Sequence, residues 1–333
     1  MKHIYYLLSL LLIVSFAQAT SWDEPWMEEV ILDSDSFVRA KVTKSKDNEV
    51  QAAVLKNIAG REIESKFRIN DFSLLKFTSL SLKEDIFHFQ KDTEYYFFLK
   101  SGNKKGRYSI ATPTTGFALI TDDGVHATYR HSYHQALVPE DIYEQSMKAI
   151  YNRIKFDEPC DPPVRDFMIA QLNKEPASPG NSMGDQDVLD QFFLQHVALE
   201  VFRYEGNEEE IALIEPFLEV DDFHVEVSAV RSISRLDSKS AKEMLMSFIE
   251  SDSDEFAKIM AIWGLEYLGA TEYAERLSNC MKENDEDELG FGGNIMDPRI
   301  GTSFPLTVTE GISELLIKWN YLSEETDGGD AWR

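Results

Sequence analysis

Between residues 197 and 281 the chain repeats its apolar pattern three times at a shift of 32 residues. Val197, Ala229 and Ala261 correspond, as do Val201, Ile233 and Leu265, then Tyr204, Leu236 and Leu268. Leu213, Leu245 and Leu277 follow, and after them Phe217, Ile249 and Met281. A period in this range marks supersecondary units that cannot bury an apolar face alone and must stack on their neighbours. Stacks of this kind present surface to a partner, so the pattern points to binding before it points to an enclosed catalytic pocket.

Each unit reads as an apolar helix, a short turn near Gly206, Asp237 or Gly269, and a second helix ending near Leu218, Ile249 or Met281. A final helix with Ile312, Leu315, Leu316 and Trp319 on one face reads as a cap on the stack. The repeats and cap are expected over residues 188–322, with a disordered tail over 323–333. This pattern resembles the HEAT-like repeats of the armadillo superfamily. That resemblance implies an α-solenoid and a protein-binding surface, and it carries no catalytic motif. Between the third unit and the cap, an acidic and then glycine-rich insertion carries Phe291, Ile295, Met296 and Ile300, an expected partner-binding loop.

The first half follows a different period. Val38, Ala40 and Val42 alternate with polar neighbours, as do Val50, Ala52 and Val54, and Phe67 pairs with Ile69. Tyr95-Tyr96-Phe97-Phe98-Leu99 is a short aromatic run, and Asp122-Asp123-Gly124 is a hairpin signal. Short strands at this spacing predict a small barrel over residues 20–156. Pro139 opens a helix whose Tyr143, Met147, Ile150, Tyr151 and Ile154 share a face, expected to cover one end of the barrel. The strand at 35–43, the strand ending in Leu55-Lys56-Asn57-Ile58-Ala59-Gly60 and the stretch 91–99 together resemble netrin-like, tissue-inhibitor-like OB barrels. The resemblance implies a fold only. The animal inhibitors place a cysteine at the mature N-terminus to chelate a protease zinc, whereas this chain is expected to begin Thr20-Ser21-Trp22. Residues 157–187, punctuated by Pro159, Pro162, Pro163, Pro176 and Pro179, are expected to form a linker with one helix.

Lys2 and His3 precede an apolar run over 4–16, and Ala17-Gln18-Ala19 supplies a small-x-small cleavage pattern. Residues 1–19 therefore read as a signal peptide cut after Ala19, for a periplasmic or secreted protein without stable membrane insertion. Export places Cys160 and Cys280 where a disulfide can form, and a bridge and two separate thiols both remain open. Charge is divided unevenly. Residues 20–156 carry 19 basic and 20 acidic side chains, whereas residues 157–333 carry 13 and 39, a net of −26. Coulomb repulsion argues against nucleic acid as a partner for the second half and favours a basic protein.

Chemistry-bearing motifs are sparse. His126, His131 and His134 lie close in sequence, but strand alternation splits them and no Cys adjoins them, so surface exposure or aromatic packing is expected over metal binding. Asp285-Glu286-Asp287-Glu288-Leu289-Gly290 fails the calcium-loop pattern at Leu289 and at Met296, which leaves at most weak calcium binding. Asp221 and Asp222, and the Asp252-Ser253-Asp254-Glu255 run, read as helix N-caps and negative charge at helix starts. There is no Gly-x-Ser-x-Gly elbow, phosphate loop or His-Glu-x-x-His. The chain is therefore expected to be no enzyme and to need no cofactor: an exported interaction module that binds a basic or cationic partner through an acidic helical surface. Two alternatives stand beside it, a hydrolase with a carboxylate-based site at the domain junction and a protease-inhibitor or immunity-type protein.

Overall fold

The computed structural model describes residues 22–46, 49–70, 89–112, 115–131, 136–179, 185–281, 300–301 and 307–323. The signal peptide, Phe291, Ile295, Met296, the 285–290 run, His134 and the tail from 324 lie outside these. Ile300 enters only through its backbone, in a two-residue strand, β10 (Ile300–Gly301), parallel to β1 (Trp22–Asp23).

Five strands close the barrel: β2 (Ser36–Lys46), β3 (Glu49–Gly60), β4 (Lys66–Asn70), β5 (Glu94–Ser101) and β6 (Arg107–Ser109). Their order is β2-β3-β4-β6-β5, with β5 pairing back onto β2, and only β4 and β6 run parallel. This is an OB-like barrel. Register shifts after Phe37, Arg39 and Val42 let the long β2–β3 hairpin curl enough to close. Three further strands, β7 (Phe117–Thr121), β8 (Gly124–Ala127) and β9 (Ala136–Val138), extend the sheet from β5. Gly124 makes the β7–β8 turn at φ +138°, and a Cβ there would sit 2.6 Å from the Val138 carbonyl oxygen.

Alternation assigns the aromatic run to two cores. Tyr95, Phe97 and Leu99 join Val38, Ala40, Val42, Val50, Phe67 and Ile69 inside the barrel. Tyr96 and Phe98 point outward with Phe37 and are buried beneath α2 (Glu140–Phe156). The Phe37 and Phe98 rings stack at 4.4 Å, and Tyr143 meets Tyr96 at 4.9 Å. The helix thus covers the barrel wall, not the end expected from sequence, because the even-numbered aromatics need shelter on that side.

Helix α3 (Pro162–Leu172) packs on α4 (Gln186–Glu205), the first helix of the repeats. Helices α4, α6 (Phe223–Ile233) and α8 (Glu255–Tyr267) lie side by side, and α10 (Val308–Lys318) covers the last of them. Val197, Ala229, Ala261, Val201, Ile233 and Leu265 are all wholly buried, so the period of 32 follows the packing. Asp222 and Asp254 cap α6 and α8 by accepting from the second and third backbone N–H groups. The second elements are less regular than expected. Only the middle unit has a full helix there, α7 (Lys239–Glu250). The first has a 3-10 turn (Glu208–Leu213) and α5 (Glu215–Leu218), which restarts at Pro216, a residue with no N–H to continue the preceding turn. The third has Thr271–Tyr273 and α9 (Ala274–Asn279).

The barrel's outer wall and the helices share one apolar core, running from Phe37 and Tyr96 through Tyr143 and Val197 to Leu316. The N-terminal helix α1 (Met27–Asp33) and Trp26 belong to it too. Among the described residues, no helix is long and apolar enough to cross a membrane.

Candidate functional site

The second elements of the first two repeats enclose a groove of about 870 Å³. Ile211 and Phe248 are buried in its floor, with Leu218 and Met244 half-buried beside them. Six carboxylates line it: Glu215, Glu219, Asp221, Glu226, Glu243 and Asp252. No Lys or Arg is among its described lining residues, and Ser240, Ser247, Ser251 and Ser253 supply hydroxyls. A second hollow of about 520 Å³ shares Ser251 and Asp252 and carries the track around the end of α7 to Glu250, Glu255, Lys258 and Cys280.

Two of the six carboxylates hold the scaffold. Buried Glu226 accepts the Asp254 backbone N–H at 3.0 Å and so fixes the loop that opens α8. Burial pushes its pKa up, and the charges of Asp254, Asp221 and Asp222 add to the rise. Glu243 accepts from Arg276 at 2.7 Å and from the Tyr273 hydroxyl at 3.1 Å, and the arginine holds its pKa below the ordinary carboxylate range. Among the described residues the other four, Glu215, Glu219, Asp221 and Asp252, form no ion pair. An apolar floor under unpaired carboxylates suits a long cationic side chain, whose methylene stem packs below while its head stays at the rim.

Other residues singled out from sequence fall elsewhere. Cys160 and Cys280 are separate free thiols, each half-buried. Cys160 sits beside Glu205 and Arg165 at the start of the helical half, while Cys280 sits beside Glu250, Lys258 and Arg276 at its far end, so no bridge joins them. Burial first, then the Glu205 charge, raises the Cys160 thiol to about 11, which keeps it un-ionised at neutral pH. His131 is buried edge-on against Trp26 with ring centroids 5.3 Å apart, and His126 lies on β8. No group of three His, Cys, Asp or Glu among the described residues is placed to hold a metal ion.

The junction between barrel and repeats has its own cleft, of about 440 Å³. Its carboxylates, Glu28 and Asp157, are engaged by arginines: Glu28 by Arg235 and Arg203, Asp157 by Arg153. Sequence reasoning looked for acidic residues here and did not anticipate the arginines. The signal was available, since Arg203 and Arg235 stand one period apart and Tyr267 one further. With this geometry in hand, comparison with known proteins returns no match to any family model, to any curated protein or to any solved structure.

Proposed function

We propose that this chain is an exported interaction module in which a HEAT-like stack, carried on a netrin-like barrel, binds a basic segment of a partner protein in the acidic groove. The observation that carries this reading is the set of four carboxylates, Glu215, Glu219, Asp221 and Asp252, that form no ion pair among the described residues, over an apolar floor in a half of net charge −26. The signal-like N-terminus supports the export. Each rim pair with Lys or Arg contributes roughly 0.2–1 kcal/mol, so affinity comes from several pairs acting together and from the floor.

A short peptide alternating Lys with Leu tests the reading by titration calorimetry. Binding is expected to weaken at least about tenfold between about 50 and about 300 mM salt, as exposed pairs are screened. The combined variant Glu215→Gln, Glu219→Gln, Asp221→Asn, Asp252→Asn is expected to lose most of the affinity, while a Glu/Leu peptide does not bind. Affinity indifferent to salt and to the four substitutions would overturn the reading.

A further inference from the structure

The barrel carries a charged face that shares no residue with the acidic groove and has the opposite sign. Strand alternation creates it within a half whose 19 basic and 20 acidic side chains nearly cancel. Val42, Val50, Ala52, Phe67 and Ile69 point into the barrel, so their neighbours along each strand point out. Register sets Lys44 beside Gln51 and Gln51 beside Arg68, and the parallel β4–β6 pair sets Arg68 beside Arg107. One outward row across four strands therefore reads Lys44, Gln51, Arg68, Arg107. Lys46 and Lys66 stand in the outward rows on either side, opposite Glu49 and Ala53. Adjacent strands lie about 4.8 Å apart and same-face residues about 7 Å, so the five cations share a patch roughly 15 Å across.

Lys44, Lys46, Lys66, Arg68 and Arg107 are all exposed. Among the described residues Glu49 is the one carboxylate paired with any of them, 3.5 Å from Arg68. Gln51 donates to Glu49 at 2.8 Å, and this bond, then the charges of Arg68, Lys44 and Lys46, holds the Glu49 carboxyl below the ordinary carboxylate range. Like charges directly opposite one another across a sheet, as Arg68 and Arg107 are, destabilise it. Solubility does not require them, since interspersed signs serve it better. The face offers no other handle. Phe67 and Tyr108 turn into the barrel and Phe37 lies under α2, so no ring of these four strands is left to stack a base. Leu55, 50% exposed, is the only large hydrophobic side chain they expose among the described residues, too little to anchor a protein partner.

We propose that this face of the barrel binds an acidic polysaccharide, whose carboxylate or sulfate groups pair with Lys44, Lys46, Lys66, Arg68 and Arg107. One such group set between the Arg68 and Arg107 guanidinium groups offsets their repulsion, and the planar forks suit its oxygens. A polysaccharide strand is thin and flexible, so it follows the row across β2, β3, β4 and β6 without approaching the repeats, of net charge −26. A membrane surface or a rigid duplex extends past the patch and meets that charge.

Short dextran sulfate and polygalacturonate chains are the probes, titrated into the full chain by calorimetry at about 50 mM salt. Neutral dextran, a short DNA duplex and phosphatidylglycerol vesicles serve as comparisons. At least one acidic chain is expected to bind more tightly than all three, and which of them binds identifies the anionic group. The triple variant Lys44→Gln, Lys46→Gln, Lys66→Gln is expected to lower that affinity about tenfold, and Arg107→Gln alone about threefold. Lys148→Gln, Lys174→Gln, Lys239→Gln together remove the same charge from exposed sites off the face and are expected to change it by less than about twofold. The single exposed substitution R107Q keeps the test decisive if the triple variant does not fold. No binding by either acidic chain, duplex or vesicles binding as tightly, a folded triple variant that loses no more than the off-face control, or an unchanged affinity in R107Q would each overturn the proposal.

Discussion

Three histidines sit where the barrel meets the helices, and burial decides their protonation. His131 Nε2 lies 3.1 Å from the Glu24 carbonyl oxygen, which requires a proton on that nitrogen. Its pKa is nevertheless lowered to about 4, by burial first and then by the charges of Arg231 and Arg130. His196, 2.8 Å from the Ser228 hydroxyl, is held well below its ordinary value by burial and by Arg130. His224 is lowered as well, and its Nδ1 accepts from Arg130 at 2.9 Å, an arrangement that only the neutral ring permits. With folded pKa values below the unfolded value of 6.5, the unfolded chain binds more protons. Stability from these groups is thus complete above about pH 6.5 and falls as pH drops toward 4. For His131 alone the loss at pH 5 is on the order of 2 kcal/mol. Urea unfolding between pH 7 and 4.5 should show this acid limb, and His131→Gln should flatten it; an unaltered slope in that variant would refute the assignment. For His131 the sequence left surface exposure and aromatic packing both open, and burial against Trp26 is the outcome. Its ring partner Trp26 and its acceptor Glu24 come from a segment more than a hundred residues earlier, and no local pattern announces them. The separation of Cys160 from Cys280 was illegible for the same reason, since spacing along the chain does not give distance across a stack.

At the scale of elements, the two periods predicted what they physically govern. The shift of 32 located the helix faces that touch a neighbour, and alternation located the barrel interior. Neither governs segments that need no continuous face, so the broken second elements around Pro216 and Thr271 escaped it. Helix α8 shows how little slack the stack holds. A Cβ on Gly264 would lie 2.8 Å from the Ser234 Cβ on the neighbouring unit and 3.1 Å from a Leu245 methyl. Gly264→Ala is therefore expected to destabilise by about 1–3 kcal/mol through overpacking, offset by up to about 1 kcal/mol of helix propensity. Gly264→Val should cost more. Denaturant midpoints with an unchanged slope would measure both, and a stabilised G264A would show that the units can part without penalty.

Across the whole molecule, one core spans barrel wall and repeats, so the two halves should unfold together. Scanning calorimetry is expected to give a single transition with equal calorimetric and van't Hoff enthalpies, and two resolved transitions would contradict the shared core. The arginine cleft belongs to this scale. The repeat period brought Arg203, Arg235 and Tyr267 to one position of successive units, whereas Glu28 arrives from the N-terminal segment and follows no period. That segment touches every unit at once: Glu28 meets Arg203 and Arg235, and Trp26 meets Arg231 and, at 6.5 Å, Trp263. A solenoid usually gains or loses units by duplication without disturbing the rest. Here an added unit would displace its successors by one helix spacing, about 10 Å, and no single placement of Trp26 and Glu28 could then reach both ends. The short N-terminal strap thus acts as a length gauge, and it ties the number of repeats to the reach of Trp26 and Glu28.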